Sequence, residues 1–289
     1  MSKERKKLLN DWYQSGQKLS VEGAYSRVWR QGQGEPVVCL HGVPASAFLY
    51  RKVLPELAQR GLEGIAFDFP GLGYAERPEA FDYSWSGLAA WAEKAVDALG
   101  LSKFHLVVHD IGGPIGFELI RRIPDRIASL TVLNTLVHVE RFKRPWVMEP
   151  FTYPLIDQLW VSSLKTPMIV ALMRMQGMHD GPTNREIRAY GDLLTMKDDG
   201  RAFRKIMRGF ERTQAYEEGI INALKNREFP AQVIWGAQDP ALKMEKYAPE
   251  LCDVLGLDDW HRVRGKHFLQ EDSPAEIAQY IADLVIYPK

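Results

Sequence analysis

The segment FHLVVHDIGGP (residues 104–114) is the most informative part of this 289-residue chain for its fold class. Its largely apolar, partly β-branched start predicts a buried strand over Phe104–Val108, and a helical pattern follows at Ile115–Ile123. Asp110 therefore lies at a tight turn between a strand and a helix, beside Gly112 and Gly113. Such a turn exposes its polar side chain at the end of a sheet, as a nucleophile elbow does. The alternative is that Asp110 only caps the helix, because aspartate is a good N-cap.

Further strands and helices alternate on both sides of this turn. The other predicted strands are Pro36–Leu40, Gly64–Phe69, Ala128–Leu133, Gln232–Trp235 and His261–Val263. The other predicted helices are Leu49–Arg60, Tyr83–Leu99 and Pro274–Ile286. Strands separated by helices favour a parallel sheet with right-handed crossovers, and nearly continuous apolar strands favour a sheet covered on both faces.

The strand–helix alternation stops after Asn134, where helical patterns and prolines take over. We predict an α/β core made of residues 1–135 and 227–289, and a helical cap made of residues 136–226. Seven of the nine methionines fall in the predicted cap: Met148, Met168, Met173, Met175, Met178, Met196 and Met207. Methionine fills irregular apolar space. The cap is therefore either an ordinary helical core or a lid whose underside lines an apolar pocket.

The amino-acid composition limits the kinds of molecule that this protein is expected to bind. Acidic and basic residues number 37 each, so no net charge attracts nucleic acid or an anionic membrane. No apolar run reaches the roughly 18 residues of a membrane span, and residues 1–12 lack the apolar core of a signal peptide. Cys39 and Cys252 fit no metal-binding spacing. We expect a cytoplasmic monomer or weak dimer that acts on a small apolar molecule and water, without a metal or cofactor.

Three further segments lie where a nucleophile at residue 110 needs partners. His41-Gly42-Val43-Pro44 follows a strand, and the amides of Val43 and Ile111 would form an anion pocket, each contributing about 3 kcal/mol. Asp239 lies in a turn after a strand, and His267 lies in a loop before the last helix. Taken singly, these features are also typical of a plain turn, a loop Asp-Pro pair and a surface histidine. Their order in the chain, nucleophile, acid and histidine, favours the catalytic interpretation.

From about Gly23 to Ile286 the chain resembles the α/β-hydrolase superfamily, and within it haloalkane dehalogenases first and epoxide hydrolases second. The resemblance is carried by HGVPASAFLYR (residues 41–51), VHDIGGP (residues 108–114) and KHFLQED (residues 266–272). It implies the α/β-hydrolase fold, a mostly parallel twisted sheet flanked by helices with a helical cap insertion. It also implies Asp110 as nucleophile, His267 as base and Asp239 as the acid that orients His267. Asn134-Thr135 occupy the place where some dehalogenases carry that acid, which leaves Asp239.

These residue types predict a reaction in two steps. Asp110 displaces a leaving group from an sp³ carbon and becomes an aspartyl ester. His267, held in one tautomer by Asp239, then removes a proton from a water molecule that attacks the ester carbonyl. Ordinary carboxylester hydrolysis is disfavoured, because attack of a carboxylate on an acyl carbon would produce an anhydride.

Two positions depart from the dehalogenase pattern. That family usually binds the leaving halide through a tryptophan directly after the nucleophile and an asparagine after His-Gly. This chain has Ile111 and Val43 there, so Trp146 or Trp160 of the predicted cap would have to replace those donors. An anion released into an apolar pocket without a donor would cost several kcal/mol.

The epoxide alternative needs an acid that protonates the opening oxygen, normally two tyrosines of the cap. Tyr153 and Tyr216 are candidates and Tyr190 is a third, although Met207 lies where the second tyrosine is expected. A third alternative is a ligand-binding protein that kept the fold without the chemistry. The side chains that we expect to line the pocket are those of His41, Trp146, Tyr153, Trp160, Met207 and Tyr216. His109 is expected to point away from the site and to serve packing.

Overall fold

The computed structural model describes residues 1–154, 156–165 and 167–287. Within these ranges eight strands form one sheet, in the order β1-β2-β4-β3-β5-β6-β7-β8. The strands are β1 (Gln17–Leu19), β2 (Ser26–Gln31), β3 (Pro36–Leu40), β4 (Glu63–Phe67), β5 (Phe104–His109), β6 (Ile127–Leu133), β7 (Ala231–Gly236) and β8 (His261–Val263). β2 runs antiparallel to β1 and β4, and the six strands β4-β3-β5-β6-β7-β8 are parallel to one another. The sheet is therefore mostly parallel, as predicted.

Helices cover the sheet and fill the interval between β6 and β7. They are α1 (Lys3–Ser15), α2 (Val53–Gln59), α3 (Trp85–Ala98), α4 (Gly112–Arg122), α5 (Ile156–Ser163), α6 (Met168–Gln176), α7 (Asn184–Thr195), α8 (Arg201–Arg208), α9 (Gln214–Lys225), α10 (Met244–Leu255), α11 (Leu269–Asp272) and α12 (Pro274–Ile286). Short 3₁₀ turns lie at Ala47–Tyr50, Pro124–Arg126 and Glu149–Thr152. All residues of β5 are buried, because helices pack on both faces of the sheet centre.

The predicted parallel strands are all present, and β3 and β8 have the predicted bounds. The first strands and the first helix were not predicted. α1 buries only Leu9 and Trp12, so its periodicity is weak, although the Trp12 ring stacks on Trp29 with 4.3 Å between centroids. β1 has three residues and buries one of them, which is too short for a clear alternation. These elements depend on tertiary contacts with β2.

The segment between β6 and β7, residues 134–230, is called the helical insertion below. It carries α5 to α9, and its last helix, α9, lies against α4 of the core. α7 contacts α1, where the Arg5 guanidinium pairs with Asp192. The domain boundaries at residues 135 and 227 stay a prediction. Among the described residues no helix combines the length and apolar character required to cross a bilayer.

Candidate active site

Asp110 lies at the end of β5 in a left-handed backbone conformation, with φ 53°. This conformation costs a non-glycine residue about 1–3 kcal/mol and persists only where neighbours fix it. The Asp110 carbonyl accepts hydrogen bonds from Gly113 N–H at 2.9 Å and from the Thr135 hydroxyl at 2.5 Å. The N-cap residue of α4 is Ile111 and not Asp110, and the Ile111 side chain makes no capping hydrogen bond within the described residues. The Asp110 carboxylate points to His267 and Val43, so it is more than a plain helix cap.

Glycines make room for this elbow. A Cβ on Gly42 would lie 2.1 Å from Asp110 Oδ1, and a Cβ on Gly113 would lie 2.0 Å from the Thr135 hydroxyl. A Cβ on Gly112 would lie 2.7 Å from the Leu40 carbonyl. Gly112 and Gly113 therefore let α4 approach the ends of the strands β3 and β6, which flank β5.

The two carboxylate oxygens of Asp110 have different partners. Oδ1 accepts the Val43 N–H at 2.7 Å, and the Ile111 amide also hydrogen-bonds to the carboxylate. Oδ2 lies 3.2 Å from His267 Nε2. Burial alone would raise the pKa of Asp110, but His267 and the Ile111 amide bring this pKa below its ordinary value of 3.8. Asp110 is therefore ionised at neutral pH.

His267 connects the two acids. Its Nδ1 donates to Asp239 Oδ2 at 2.8 Å, which fixes the ring orientation. Burial alone would lower the pKa of His267, but Asp239 and Asp110 together raise this pKa to about 10. The histidine is therefore an imidazolium between two carboxylates at neutral pH. His109 packs beneath it, with 4.9 Å between ring centroids, and His109 Nε2 donates to the His267 carbonyl at 2.8 Å.

Asn134 holds the second acid in place. Its Nδ2 donates to Asp239 Oδ2 at 2.7 Å, and its Oδ1 accepts the Gly236 N–H at 2.8 Å. The other carboxylate oxygen of Asp239 accepts the N–H groups of Ala241 and Leu242. In the sequence, Asn134 is recognisable only as the residue that occupies an alternative position for the acid. No local pattern around Asn134 indicates its contact with Asp239.

A buried ionic cluster lies next to the histidine loop, and we call it the Arg51 cluster. The fully buried Glu271 carboxylate in α11 pairs with the Arg51 guanidinium, with Lys52 at 3.0 Å and with the Tyr190 hydroxyl. Arg51 also pairs with Glu186 of α7 at 2.7 Å. The cluster joins three segments: the segment after β3, the segment that follows His267, and the helical insertion.

A cavity of about 120 Å³ lies between the elbow and the helical insertion. Asp110, His267, Val43 and Ile111 line it on the core side. The insertion contributes mostly aromatic and thioether side chains, among them Phe142, Met148, Phe151, Trp160, Met173 and Met207. A carboxylate and an imidazolium therefore face a largely apolar space that suits a small apolar molecule.

Two of the six side chains predicted for the pocket, Trp160 and Met207, line this cavity. The Trp160 indole N–H is already used, because it donates to the Val147 carbonyl at 3.0 Å. Leu164 and Gln176 also line the cavity and were not predicted. The position of Gln176 at the end of a methionine-rich helix is the one sequence signal that would have singled it out.

The other four predicted pocket residues are not among its described lining, which corrects the prediction. His41 is fully buried, and its ring bonds to the Gly42 carbonyl at 2.9 Å and the Phe69 amide at 3.1 Å. The exposed fractions of Trp146 and Tyr153 are 61% and 55%, so both side chains face the solvent.

The remaining tyrosines are used in structural contacts. The Tyr216 hydroxyl donates to the Pro114 carbonyl at 3.0 Å, which holds α9 against α4. The third candidate, Tyr190, gives its hydroxyl to Glu271 in the Arg51 cluster. Sequence spacing placed these tyrosines near Asp110, but the rotation and packing of the insertion helices turn their hydroxyls elsewhere.

Comparison with known proteins agrees with this architecture. A sequence profile for the alpha/beta hydrolase fold matches residues 35–274. A haloalkane dehalogenase from Mycolicibacterium paratuberculosis is 28% identical over 258 residues, covering 86% of this chain and 82% of the relative. A haloalkane dehalogenase from Psychrobacter cryohalolentis is 38% identical over 104 residues, which span 36% of this chain and only 34% of that relative.

A solved structure extends the likeness to the fold. The crystal structure of haloalkane dehalogenase DbeA from Bradyrhizobium elkani matches with a TM-score of 0.79 at 21% identity, over 94% of this chain and 97% of that chain. The fold class and the resemblance predicted from the sequence are thus confirmed.

Proposed function

Because the chain belongs to the α/β-hydrolase fold family, we propose that it is a hydrolase that forms and hydrolyses an ester on Asp110. The observation that carries this proposal is the buried chain of contacts from Asp110 through His267 to Asp239, on the core side of an apolar cavity. A protein that only binds apolar ligands has no need of two buried carboxylates around one imidazole. Their desolvation has a high cost in stability.

The first step uses the oxygen of Asp110 that faces the histidine. Oδ1 is held by the Val43 amide, so Oδ2 attacks the substrate carbon while the bond to the leaving group breaks. The low pKa of Asp110 keeps the nucleophile charged. The product of this step is a neutral alkyl ester of Asp110 together with the departed anion.

The second step uses the change of charge that the first one makes. In the free protein, the negative charge of Asp110 helps to raise the pKa of His267. Esterification removes this charge, so the pKa of His267 is lower in the ester than in the free protein. His267 then loses its proton to solvent and accepts one from a water molecule that attacks the ester carbonyl. Charge develops on Oδ1, which accepts the Val43 N–H, and the amides of Val43 and Ile111 each contribute about 3 kcal/mol. The intermediate then collapses as the bond between the Asp110 carboxyl carbon and Oδ2 breaks, and the alcohol leaves with Oδ2 and the proton that His267 took from water.

The substrate class that we propose is a small apolar alkyl halide, because the cavity walls are apolar and both named relatives are haloalkane dehalogenases. Epoxide hydrolysis is the second candidate. It is less favoured, because Tyr153 faces the solvent and the hydroxyl of Tyr216 is bonded to the Pro114 carbonyl.

A single turnover in H₂¹⁸O tests the covalent mechanism. With enzyme in excess over 1-bromobutane, the alcohol is expected to carry ¹⁶O from Asp110, and the peptide that contains Asp110 is expected to gain ¹⁸O. Direct attack by water would instead give ¹⁸O-labelled alcohol and an unlabelled peptide. A parallel reaction with 1,2-epoxybutane compares diol formation with bromide release. An Asp110→Asn protein serves as the inactive control.

The two steps are expected to respond differently to pH. Ester formation needs ionised Asp110, whose pKa is lowered, so its rate stays flat from neutral to mildly acidic pH. Ester hydrolysis needs neutral His267, so its rate falls about tenfold per pH unit below the pKa of His267 in the ester. The ester fraction, measured by mass spectrometry between pH 5 and pH 9, should therefore increase as the pH falls. A parallel decrease of both rates would contradict the assignment.

A further inference from the structure

Gln176 is the last residue of α6, and its half-buried side chain lines the cavity. Its amide makes no hydrogen bond to any residue in the described ranges, although many polar groups around the site are paired. The side-chain amide of glutamine carries two N–H donors. A neutral donor therefore remains available in a cavity whose walls are otherwise mostly apolar.

The backbone around Gln176 is fastened to the loop that carries His267. The Phe268 N–H donates to the Gly177 carbonyl at 2.7 Å. The Lys266 ammonium donates to the carbonyls of Arg174 and Met175. These bonds join residues on both sides of Gln176 to residues on both sides of His267, so the backbone of Gln176 has a fixed place relative to the reacting groups.

The displacement step needs a donor on the insertion side of the cavity. Asp110 attacks from the core, and the leaving group departs in line on the opposite side of the carbon. An anion released into an apolar space without a hydrogen bond is strongly disfavoured. The amides of Val43 and Ile111 cannot serve it, because both bind the Asp110 carboxylate.

The two tryptophan N–H groups of the described cavity lining are used or covered. Trp160 donates to the Val147 carbonyl. The Trp85 indole N–H has no partner among the described residues, but the whole side chain is buried against Phe210 and Tyr216, so protein atoms cover it. Among the neutral side-chain donors of the described lining, Gln176 is then the one whose N–H groups are neither bonded nor covered.

We propose that the Gln176 amide binds the departing halide, in place of the missing donors at residues 43 and 111. As the bond from Asp110 Oδ2 to carbon forms, the carbon–halogen bond breaks and its electron pair leaves with the halide. An N–H of Gln176 donates to this anion and keeps its proton. Because a carboxamide is too weak an acid to protonate an alkoxide, this subsite favours alkyl halides over epoxides. The inference rests on the proposed function.

The test compares ester formation in a His267→Gln background, which isolates the first step. The rates of ester formation with 1-chlorobutane and 1-iodobutane are measured by intact-protein mass. The two proteins compared are His267→Gln, called the parent below, and the same protein with Gln176→Met added. Chloride is the poorer leaving group and depends more on a donor. We expect Gln176→Met to slow the chloride reaction roughly 10-fold to 100-fold, about the value of a hydrogen bond to an ion, and the iodide reaction clearly less.

Two control variants separate this role from packing. Met207→Leu changes an apolar lining residue and should leave the ratio of the chloride and iodide rates unchanged. Trp85→Phe removes the covered indole N–H and should also leave that ratio unchanged. The assignment of Gln176 is wrong if the ratio is unchanged in Gln176→Met, or if only Trp85→Phe shifts it. Alkylation of Asp110 in the parent would still support the proposed function in either case. A parent that forms no ester with either halide overturns both.

Discussion

The His267→Gln variant is expected to form the Asp110 ester at a rate within a few-fold of the wild type and to hydrolyse it about 10²–10⁴-fold more slowly. The reason is that His267 acts as a base only in the second step. Glutamine keeps a side chain of similar reach but cannot accept a proton from water. Incubation with 1-bromobutane should therefore produce one stoichiometric equivalent of bromide and a protein that is one butyl group heavier.

The control for this experiment is His105→Gln. His105 bonds to Ser129 at 2.8 Å near the start of β5, far along the strand from the elbow. The His105→Gln variant should hydrolyse the ester at the wild-type rate. Proteolysis should map the adduct of His267→Gln to the peptide that contains Asp110. Turnover of His267→Gln at an undiminished rate would show that another group activates the water, and the two-step assignment would then be wrong.

The elbow was predictable because its determinants are local. Asp110, the preceding strand and the following glycines are adjacent in sequence, and the left-handed φ of Asp110 agrees with a strained turn at that place. Most of the parallel strands were predictable too, because they contain nearly continuous apolar runs. The positions of Asp239 and His267 followed from the order of strands, since the carboxyl ends of parallel strands meet at one edge of the sheet.

The pocket was much less predictable, because it depends on how each insertion helix is rotated. Trp146 and Trp160 are the same residue type in the same segment, yet the first faces the solvent and the second lines the cavity. Hydrophobicity cannot distinguish them. The contact of Asn134 with Asp239 joins residues 105 positions apart, so no local pattern contains it. Gln176 and Arg174 are the polar residues of α6, and periodicity alone places a glutamine at the end of a helix on a solvated face.

Arg51→Met is expected to lower the free energy of unfolding by about 3–5 kcal/mol, the largest stability effect that we anticipate for one substitution. Glu271 is fully buried, and the Arg51 guanidinium pairs both with Glu271 and with Glu186. The variant would leave a buried carboxylate with Lys52 and Tyr190 only. Urea unfolding, followed by tryptophan fluorescence, measures the change.

The matched control is Arg122→Met, which removes an ion pair of similar length at the surface. Arg122 lies 2.6 Å from Glu93, and both side chains are about one-third exposed. Water and salt screen such pairs, so the expected loss is about 0–1 kcal/mol. If Arg51→Met and Arg122→Met lower the free energy of unfolding equally, burial does not increase the contribution of the Arg51 cluster to stability.

The double variant Arg51→Met/Glu271→Met distinguishes an unpaired charge from lost packing. Replacing both partners of a buried ion pair by apolar side chains is often neutral, because the desolvation cost of both charges disappears. We therefore expect the double variant to recover most of the stability that Arg51→Met loses. Its ester hydrolysis should nevertheless be slower than in the wild type, because Glu271 no longer fixes the segment that follows His267. A double variant as unstable as the single one would indicate that the cluster stabilises the fold through its shape and not through its charges.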